Sequence, residues 1–529
     1  MFGSITKRCF QYCLLSLVFI LFLAQVGQAN VTPPSADLKL RSGFSSFALE
    51  PGKPVTINII VDIEVPVFVP VKGKERPPVA ISLVIDRSGS MSEANKLDYA
   101  IKAGKNVVRS LEPQDMLAIT IYDDEVETIY PLSKVKDKDK VIKLLEGIKD
   151  RGYTNLSGGL EKGIAQLADK KFEGVRRVIL LSDGLANRGE TDPERIAKIG
   201  AQSRAKGIAV SAIGLGLDYD ENLMELLAQR GGGKYYYVKD SEDLPGVFKQ
   251  ELALAEEAFS RDLKVVFVPS AGVKEVKVFG YNNEKQNGAT QIEMSDLAFG
   301  EKRQVVMSVT ITPDGDMTNQ SLGDMKISYL DAKSKQEKNI ALPFEVQVLK
   351  EEKAREMINV REAATIKRVQ EEVLLQNAEE AHVEAMGALQ AGDTEKARTI
   401  LKEQQELMKP AAAENKVLEN KMARMEEDAK NLEIASSDLN VQQSMVKQSK
   451  DDKYKSAQGS SKAYMLQPGD KGYLVEKLQT ALRDKGFYKG EINGVYDQPV
   501  QDAVKAFQTE QKIEADGIAG VNTMRALGM

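Results

Sequence analysis

Histidine and cysteine are nearly missing from this chain, and each shortage closes off a class of chemistry. The single histidine, His382, cannot by itself build a Ser-His-Asp triad, a His-rich zinc site or a His/Glu metallohydrolase centre. Flanked by Ala381 and Val383 in a helical stretch, it reads as a surface or packing residue. Both cysteines, Cys9 and Cys13, lie in the N-terminal segment, so the rest of the chain is expected to rely on hydrophobic cores rather than disulfides. Neither follows an apolar core as a lipid-modified cysteine would. Beyond that segment no hydrophobic run is long enough to span a bilayer, and no basic patch argues for nucleic acid.

The N-terminal segment has Lys7 and Arg8, an apolar core from Tyr12 to Ala24, and then Gln25-Val26-Gly27-Gln28-Ala29. This pattern predicts a signal peptide over 1–29, cleaved after Ala29, and therefore export to a periplasm or cell wall. Its removal takes the formal charge from −6 to −8 on a chain that is 28 % charged. About 500 residues remain, enough for three or four domains.

The run Ala80–Ile85 is apolar on both faces apart from Ser82, as in a central strand of a parallel sheet, and leads into Asp86-Arg87-Ser88-Gly89-Ser90-Met91. Then Leu97, Ile101, Gly104, Val108 and Leu111 share one helical face, with a glycine where the helix could lie close on the sheet. Gly152-Tyr153-Thr154-Asn155-Leu156 opens another helical run, and Val178–Leu181 is a second apolar strand ending in Ser182-Asp183-Gly184. At the C-terminal edge of such a sheet, where ligands bind, these loops would gather five oxygen-bearing side chains.

From about Pro78 to Leu252 these residues resemble a von Willebrand factor type A domain with a complete metal-ion-dependent adhesion site. More narrowly, 182–187 and 213–221 are similar to the bacterial group often labelled calcium-activated chloride channel homologues, a label at odds with the missing bilayer-spanning run. The resemblance implies that Asp86, Ser88, Ser90, Thr154 and Asp183 are metal ligands. Oxygen-only donors rich in hydroxyls suit a hard, six-coordinate ion, Mg²⁺, with Mn²⁺ or Ca²⁺ as alternatives. With few carboxylates bound, the ion keeps charge to attract an Asp or Glu from a protein partner. The competing reading is a turn in which Ser88 and Ser90 only cap the next helix.

Val55 to Val65 alternates as a half-buried strand, and short β-rich runs return at 264–268, 275–279, 304–312, 325–330 and 343–349. Residues 37–70 and 259–349 are therefore expected to close one β-sandwich, with the α/β domain (78–252) inserted in one of its loops. From 351 to 435 the composition is helical. Gly392 is placed to end one helix and Asp393 or Thr394 to cap the next, and the segment reads as a spacer or as an oligomerisation arm. Residues 436–463, rich in Ser, Lys, Gln and Asp, read as a flexible tether.

Leu478-Gln479, Asn493-Gly494-Val495-Tyr496, Phe507-Gln508, Asp516-Gly517 and Thr523, within 466–528, resemble a three-helix peptidoglycan-binding domain. Asp497 and Val500 depart from that family's usual Gly and Thr. The resemblance implies peptidoglycan as a partner, with Asn493, Gly494, Tyr496, Asp516, Gly517 and Thr523 lining the groove.

The expected architecture is thus multidomain: a doubly wound, Rossmann-like α/β domain inserted in a β-sandwich, a helical segment and a small three-helix domain. The expected function is a non-catalytic cell-envelope scaffold that binds glycan and captures a partner through Mg²⁺. Two alternatives stand beside it. One is a peptidoglycan hydrolase using acidic pairs such as Asp123-Asp124 or Asp218/Asp220; the other is an oligomeric assembly factor whose metal is only structural.

Overall fold

The computed structural model describes residues 38–46, 48–49, 51–66, 77–168, 172–314, 319–348, 360–457, 465–470, 473–513, 515–527 and 529. The expected signal peptide lies outside them. Strands β1 (Lys39–Phe44), β2 (Ala48–Leu49) and β3 (Val55–Glu64) come first. The α/β domain follows, with β4 (Val79–Asp86), β5 (Met116–Tyr122), β6 (Val126–Lys134), β7 (Val175–Ser182), β8 (Ile208–Leu215) and β9 (Gly232–Val238) in the order β6-β5-β4-β7-β8-β9. All but the edge strand β6 run parallel.

Every residue of β4 is buried because helices cover both faces. On one face lie α1 (Lys96–Ser110), α2 (Lys138–Glu146) and α6 (Leu244–Glu256), contributing Val107, Leu145 and Phe248. On the other lie α3 (Leu156–Gln166), α4 (Pro193–Arg204) and α5 (Glu221–Arg230), contributing Leu160, Ile196 and Leu227. Gly104 does bring α1 into close contact, but mainly with α2: a Cβ there would sit 3.3 Å from Leu145 and 3.8 Å from Leu83 of the sheet.

The chain then returns to the first strands. Strands β10 (Ser260–Pro269), β11 (Val273–Val278), β12 (Asn283–Gln286), β13 (Ala289–Ile292), β14 (Lys302–Ile311), β15 (Asn319–Asp331) and β16 (Glu337–Val348) complete two sheets. Their orders are β1-β3-β14-β11 and β12-β13-β10-β15-β16-β2. Phe44 of one packs on Phe344 of the other, with ring centroids 6.1 Å apart. The α/β domain therefore interrupts the chain between β3 and β10, while β3 pairs with β14 from Val55↔Ile311 to Glu64↔Lys302. The β12–β13 hairpin went unread in the sequence, although its turn, Asn287-Gly288 (φ 50° and 78°), is a strong hairpin signal.

Among the described residues four helices follow: α7 (Val360–Gln390), α8 (Thr394–Ala412), α9 (Lys416–Ser437) and α10 (Leu439–Ala457). Leu375, Met386, Leu401, Met408, Met425 and Leu432 form their core. Asp393 is the cap between the first two, accepting from the Lys396 amide at 2.9 Å. Val369 of α7 also packs on Ile60 and Val306, the face of β3 and β14 turned away from the sandwich core.

The tether expected over 436–463 is instead largely helix α10. It is built into the molecule through polar side chains, which is why no apolar period announced it. Lys447 Nζ donates to the Tyr219 carbonyl and to Glu221, both at 2.7 Å, and Lys450 donates to the other Glu221 oxygen at 2.7 Å. Ser449, Asp451, Asp452, Tyr454 and Ser456 are buried. Residues 458–464 lie outside the described set.

The C-terminal module comprises β17 (Met465–Leu466), α11 (Tyr473–Asp484), α12 (Gln498–Glu510), β18 (Ala519–Gly520) and α13 (Val521–Leu527). Leu478, Leu482, Val504, Phe507 and Leu527 form its core.

Candidate functional site

The five oxygen-bearing side chains are delivered by three loops at the C-terminal edge of the parallel sheet. Asp86 ends β4, and Ser88 and Ser90 lie in the turn after it. Thr154 precedes α3, and Asp183 follows β7 directly. Backbone bonds stitch the first two loops together: Gly89 N–H donates to the Gly152 carbonyl at 3.1 Å and Arg151 N–H to the Arg87 carbonyl at 2.8 Å. Asn187 Oδ1 accepts from the Thr154 amide at 2.9 Å and ties the third loop in.

Asp86 and Asp183 are wholly buried, and Ser88 and Thr154 nearly so. Asp86 Oδ1 accepts from the Ser88 amide and Oδ2 from Ser182 Oγ, each at 2.8 Å. Ser90 Oγ donates to Asp183 Oδ1 at 2.7 Å and lies 3.2 Å from Ser88 Oγ. A Cβ on Gly184 would sit 3.5 Å from both Ser90 Oγ and Thr154 Oγ1, so its absence keeps the space beside those hydroxyls clear. The capping alternative fails at Ser88, whose side chain makes no cap bond to the helical turn that follows.

Burial, and after it the charge of Asp183, push the Asp86 carboxyl up to about 6, against the bonds from Ser88 and Ser182. Two carboxylates held this close in a dry site disfavour each other's charge unless a cation stands between them. The donors are all oxygen, and among the described residues no group of three or more His, Cys, Asp or Glu is placed to hold a metal ion. This set fits a hard divalent cation, which Asp86, Ser88, Ser90, Thr154 and Asp183 would hold.

Sequence reasoning missed two members of the site. Ser182 orients Asp86, and the buried Lys96 places its ammonium 2.8 Å from Asp183 Oδ2. For Lys96 there was one hint, a lysine at the first position of a helix, against the helix dipole. Around the rim, Tyr153 and Leu185 are 54 % and 59 % exposed, large apolar groups open to solvent directly beside Thr154 and Gly184. The Arg188 guanidinium lies 3.9 Å from the Tyr153 ring centroid.

The acidic pairs have other partners. Asp123 lies 2.8 Å from Arg87 Nε and accepts from Arg151 Nε at 2.6 Å. Burial opposes ionisation there, but Arg151, the Glu125 amide and Arg87 hold its carboxyl below the usual range. Asp220 caps α5 through the Asn222 and Leu223 amides.

In the C-terminal module, two buried glutamines organise the two glycine turns. Gln479 Oε1 accepts from the Asn493 and Gly494 amides at 3.1 and 2.9 Å, and its Nε2 donates to Asn493 Oδ1 at 2.9 Å. Gln508 repeats the arrangement, accepting from the Gly517 amide at 2.9 Å and donating to Asp516 Oδ1 at 2.8 Å and Thr523 Oγ1 at 3.1 Å. Tyr496 donates to the Gly517 carbonyl at 3.0 Å.

Of the six residues expected to line a groove, Tyr496, Thr523, Gly494 and Gly517 are therefore buried parts of the turn framework. Asn493 is exposed and Asp516 half-exposed. Asp516 also lies 3.5 Å from Lys416 of α9. The motif glutamines, not the groove residues, carry the architecture.

Residues 80–250 match the von Willebrand factor type A domain family, and residues 471–527 match the family described as "Putative peptidoglycan binding domain". "Uncharacterized protein YfbK" of Escherichia coli is 27 % identical over 249 residues, spanning 45 % of this chain and 43 % of that protein. "Uncharacterized protein sll0103" of Synechocystis is 24 % identical over 344 residues, spanning 62 % of this chain and 77 % of that one. A solved von Willebrand factor type A structure from Catenulispora acidiphila shares the fold, with a TM-score of 0.57 at 16 % identity over 74 % of this chain and 90 % of that one. The oxygen-bearing loops, the doubly wound sheet and the glutamine-pinned glycine turns thus belong to a von Willebrand factor type A domain protein, homologous to YfbK and sll0103, that also carries a peptidoglycan-binding-family domain.

Proposed function

We propose that the chain is an exported, non-catalytic scaffold of the cell envelope. Its C-terminal module holds peptidoglycan, and its α/β domain captures a protein partner through Mg²⁺ held by Asp86, Ser88, Ser90, Thr154 and Asp183. The bound ion supplies an electrophilic position that an Asp or Glu of the partner can occupy. The observation that carries this reading is the pairing of a buried, oxygen-only donor set with an open rim bearing exposed Tyr153 and Leu185. Such a rim gives a partner apolar surface to cover beside its acidic side chain. Export is supported by the N-terminal leader pattern; no helix among the described residues is long and apolar enough to cross a membrane.

The test uses envelope extracts and three baits: the wild type in Mg²⁺, the wild type in EDTA, and Asp86→Ala in Mg²⁺. Partners held only by the first support metal-gated capture; an identical set on all three rejects it. The same proteins, incubated with isolated wall, should co-sediment without releasing muropeptides. Release that an acidic-pair substitution abolishes would favour the hydrolase.

A further inference from the structure

The Asp183 carboxylate is divided between two donors: Oδ1 accepts from Ser90 Oγ at 2.7 Å and Oδ2 from the Lys96 ammonium at 2.8 Å. Lys96 is only 6 % exposed, a position lysine seldom takes unless paired. The loop that delivers it is built for the purpose. Ala94 and Asn95, immediately before it, both adopt the left-handed conformation, at φ 49° and 56°. For Ala94 that conformation is strained by its Cβ. Ser241 Oγ ties the loop down by donating to the Ala94 carbonyl at 2.8 Å, and Gly216 leaves open a place where a Cβ would meet Lys96 Cε at 3.3 Å.

We propose that Lys96 sets which divalent ion the site accepts; this rests on the reading that the site holds one. Its ammonium holds one lone pair of the second oxygen of Asp183, which disfavours binding of a metal through both oxygens of that carboxylate. Asp86 already uses one lone pair of each oxygen on Ser88 and Ser182. Ca²⁺ takes six to eight oxygens and favours carboxylates that bind through both, whereas Mg²⁺ takes six single oxygens. The fixed positive charge weakens both ions alike, because both carry the same charge. Discrimination comes from the withheld oxygen.

Two substitutions separate these effects. Lys96→Gln keeps an N–H donor on Oδ2 and removes the charge. Lys96→Met removes both. Titration calorimetry of the purified full chain with Mg²⁺ and with Ca²⁺ should find Mg²⁺ preferred by the wild type. Lys96→Gln should tighten both ions with their ratio kept, and Lys96→Met should shift that ratio toward Ca²⁺ about tenfold or more.

A ratio in Lys96→Met within about twofold of wild type, with Mg²⁺ still bound, overturns the role of Lys96 and leaves the metal site standing. A wild type that binds neither ion overturns both. Should Lys96→Met fail to fold without metal, refolding driven by Ca²⁺ and not by Mg²⁺ supports the proposal; refolding by both, by Mg²⁺ alone or by neither rejects it.

Discussion

Gly152 turns the backbone at φ +69° between the first two metal-site loops, and a Cβ there would fall 2.4 Å from Asp124 Oδ2. Gly152→Ala is therefore expected to cost about 1–3 kcal/mol. Urea unfolding should show a lower midpoint at unchanged slope; an unchanged midpoint would mean the loop relaxes freely. At this scale the sequence exposed the five candidate ligands and concealed the side chains that bond to them. Asp86, Ser88, Ser90, Thr154 and Asp183 stand in short motifs at strand ends, where the chain order itself announces them. Ser182 and Lys96 act across the fold, separated from their carboxylates by 96 and 87 residues, and beyond a lysine at a helix start no local pattern marks contact at that range.

Among the elements, legibility followed apolar periodicity. The buried strands and the α7–α8 turn could be read because hydrophobic spacing and turn residues are local. Helix α10 could not, because much of its buried surface is polar, and the partners of Lys447 lie more than 200 residues away in the α/β domain. The bundle hides a second polar core. His382 is fully buried, with Nδ1 accepting from the Lys421 ammonium at 2.8 Å, so its own proton sits on Nε2 and is donated to Asp428 Oδ2 at 2.9 Å. Lys421 also pairs with Glu379 at 2.7 Å, and Arg424 lies 3.4 Å from Asp428.

Burial and the Lys421 charge hold the imidazole below its ordinary 6.5. The unfolded chain then takes up a proton at His382 that the folded chain refuses, so stability falls as pH drops below about 6.5. Asp428, also held low, adds a loss in the same direction at more acid pH. His382→Gln should flatten the fall in urea midpoint between about pH 7 and pH 5; an unaltered fall would assign the effect elsewhere.

On the scale of the whole molecule, Glu221 is the joint between the α/β domain and α10. Against burial, Lys447 and Lys450 pull its carboxyl down to about 2 from 4.5. Its contribution is present above about 4.5 and fades as pH falls toward 2. Glu221→Gln should loosen the joint by about 1–2 kcal/mol, speeding amide exchange over 439–457 about tenfold. Exchange there that is already as fast as in an unstructured peptide would show that the joint does not form in solution.

The packing of α10 also fixes a length. The helix ends at Ala457 and the module begins at Met465, eight residues on, so the chain between them spans at most about 28 Å whatever its path. A free stretch over the whole of 436–463 would have allowed roughly 100 Å. If the module grips glycan as proposed, the body is moored on a short line and cannot range through the envelope. Anything it retained would then be confined to a thin layer against the wall, and two such molecules could share a partner only when their moorings were neighbours.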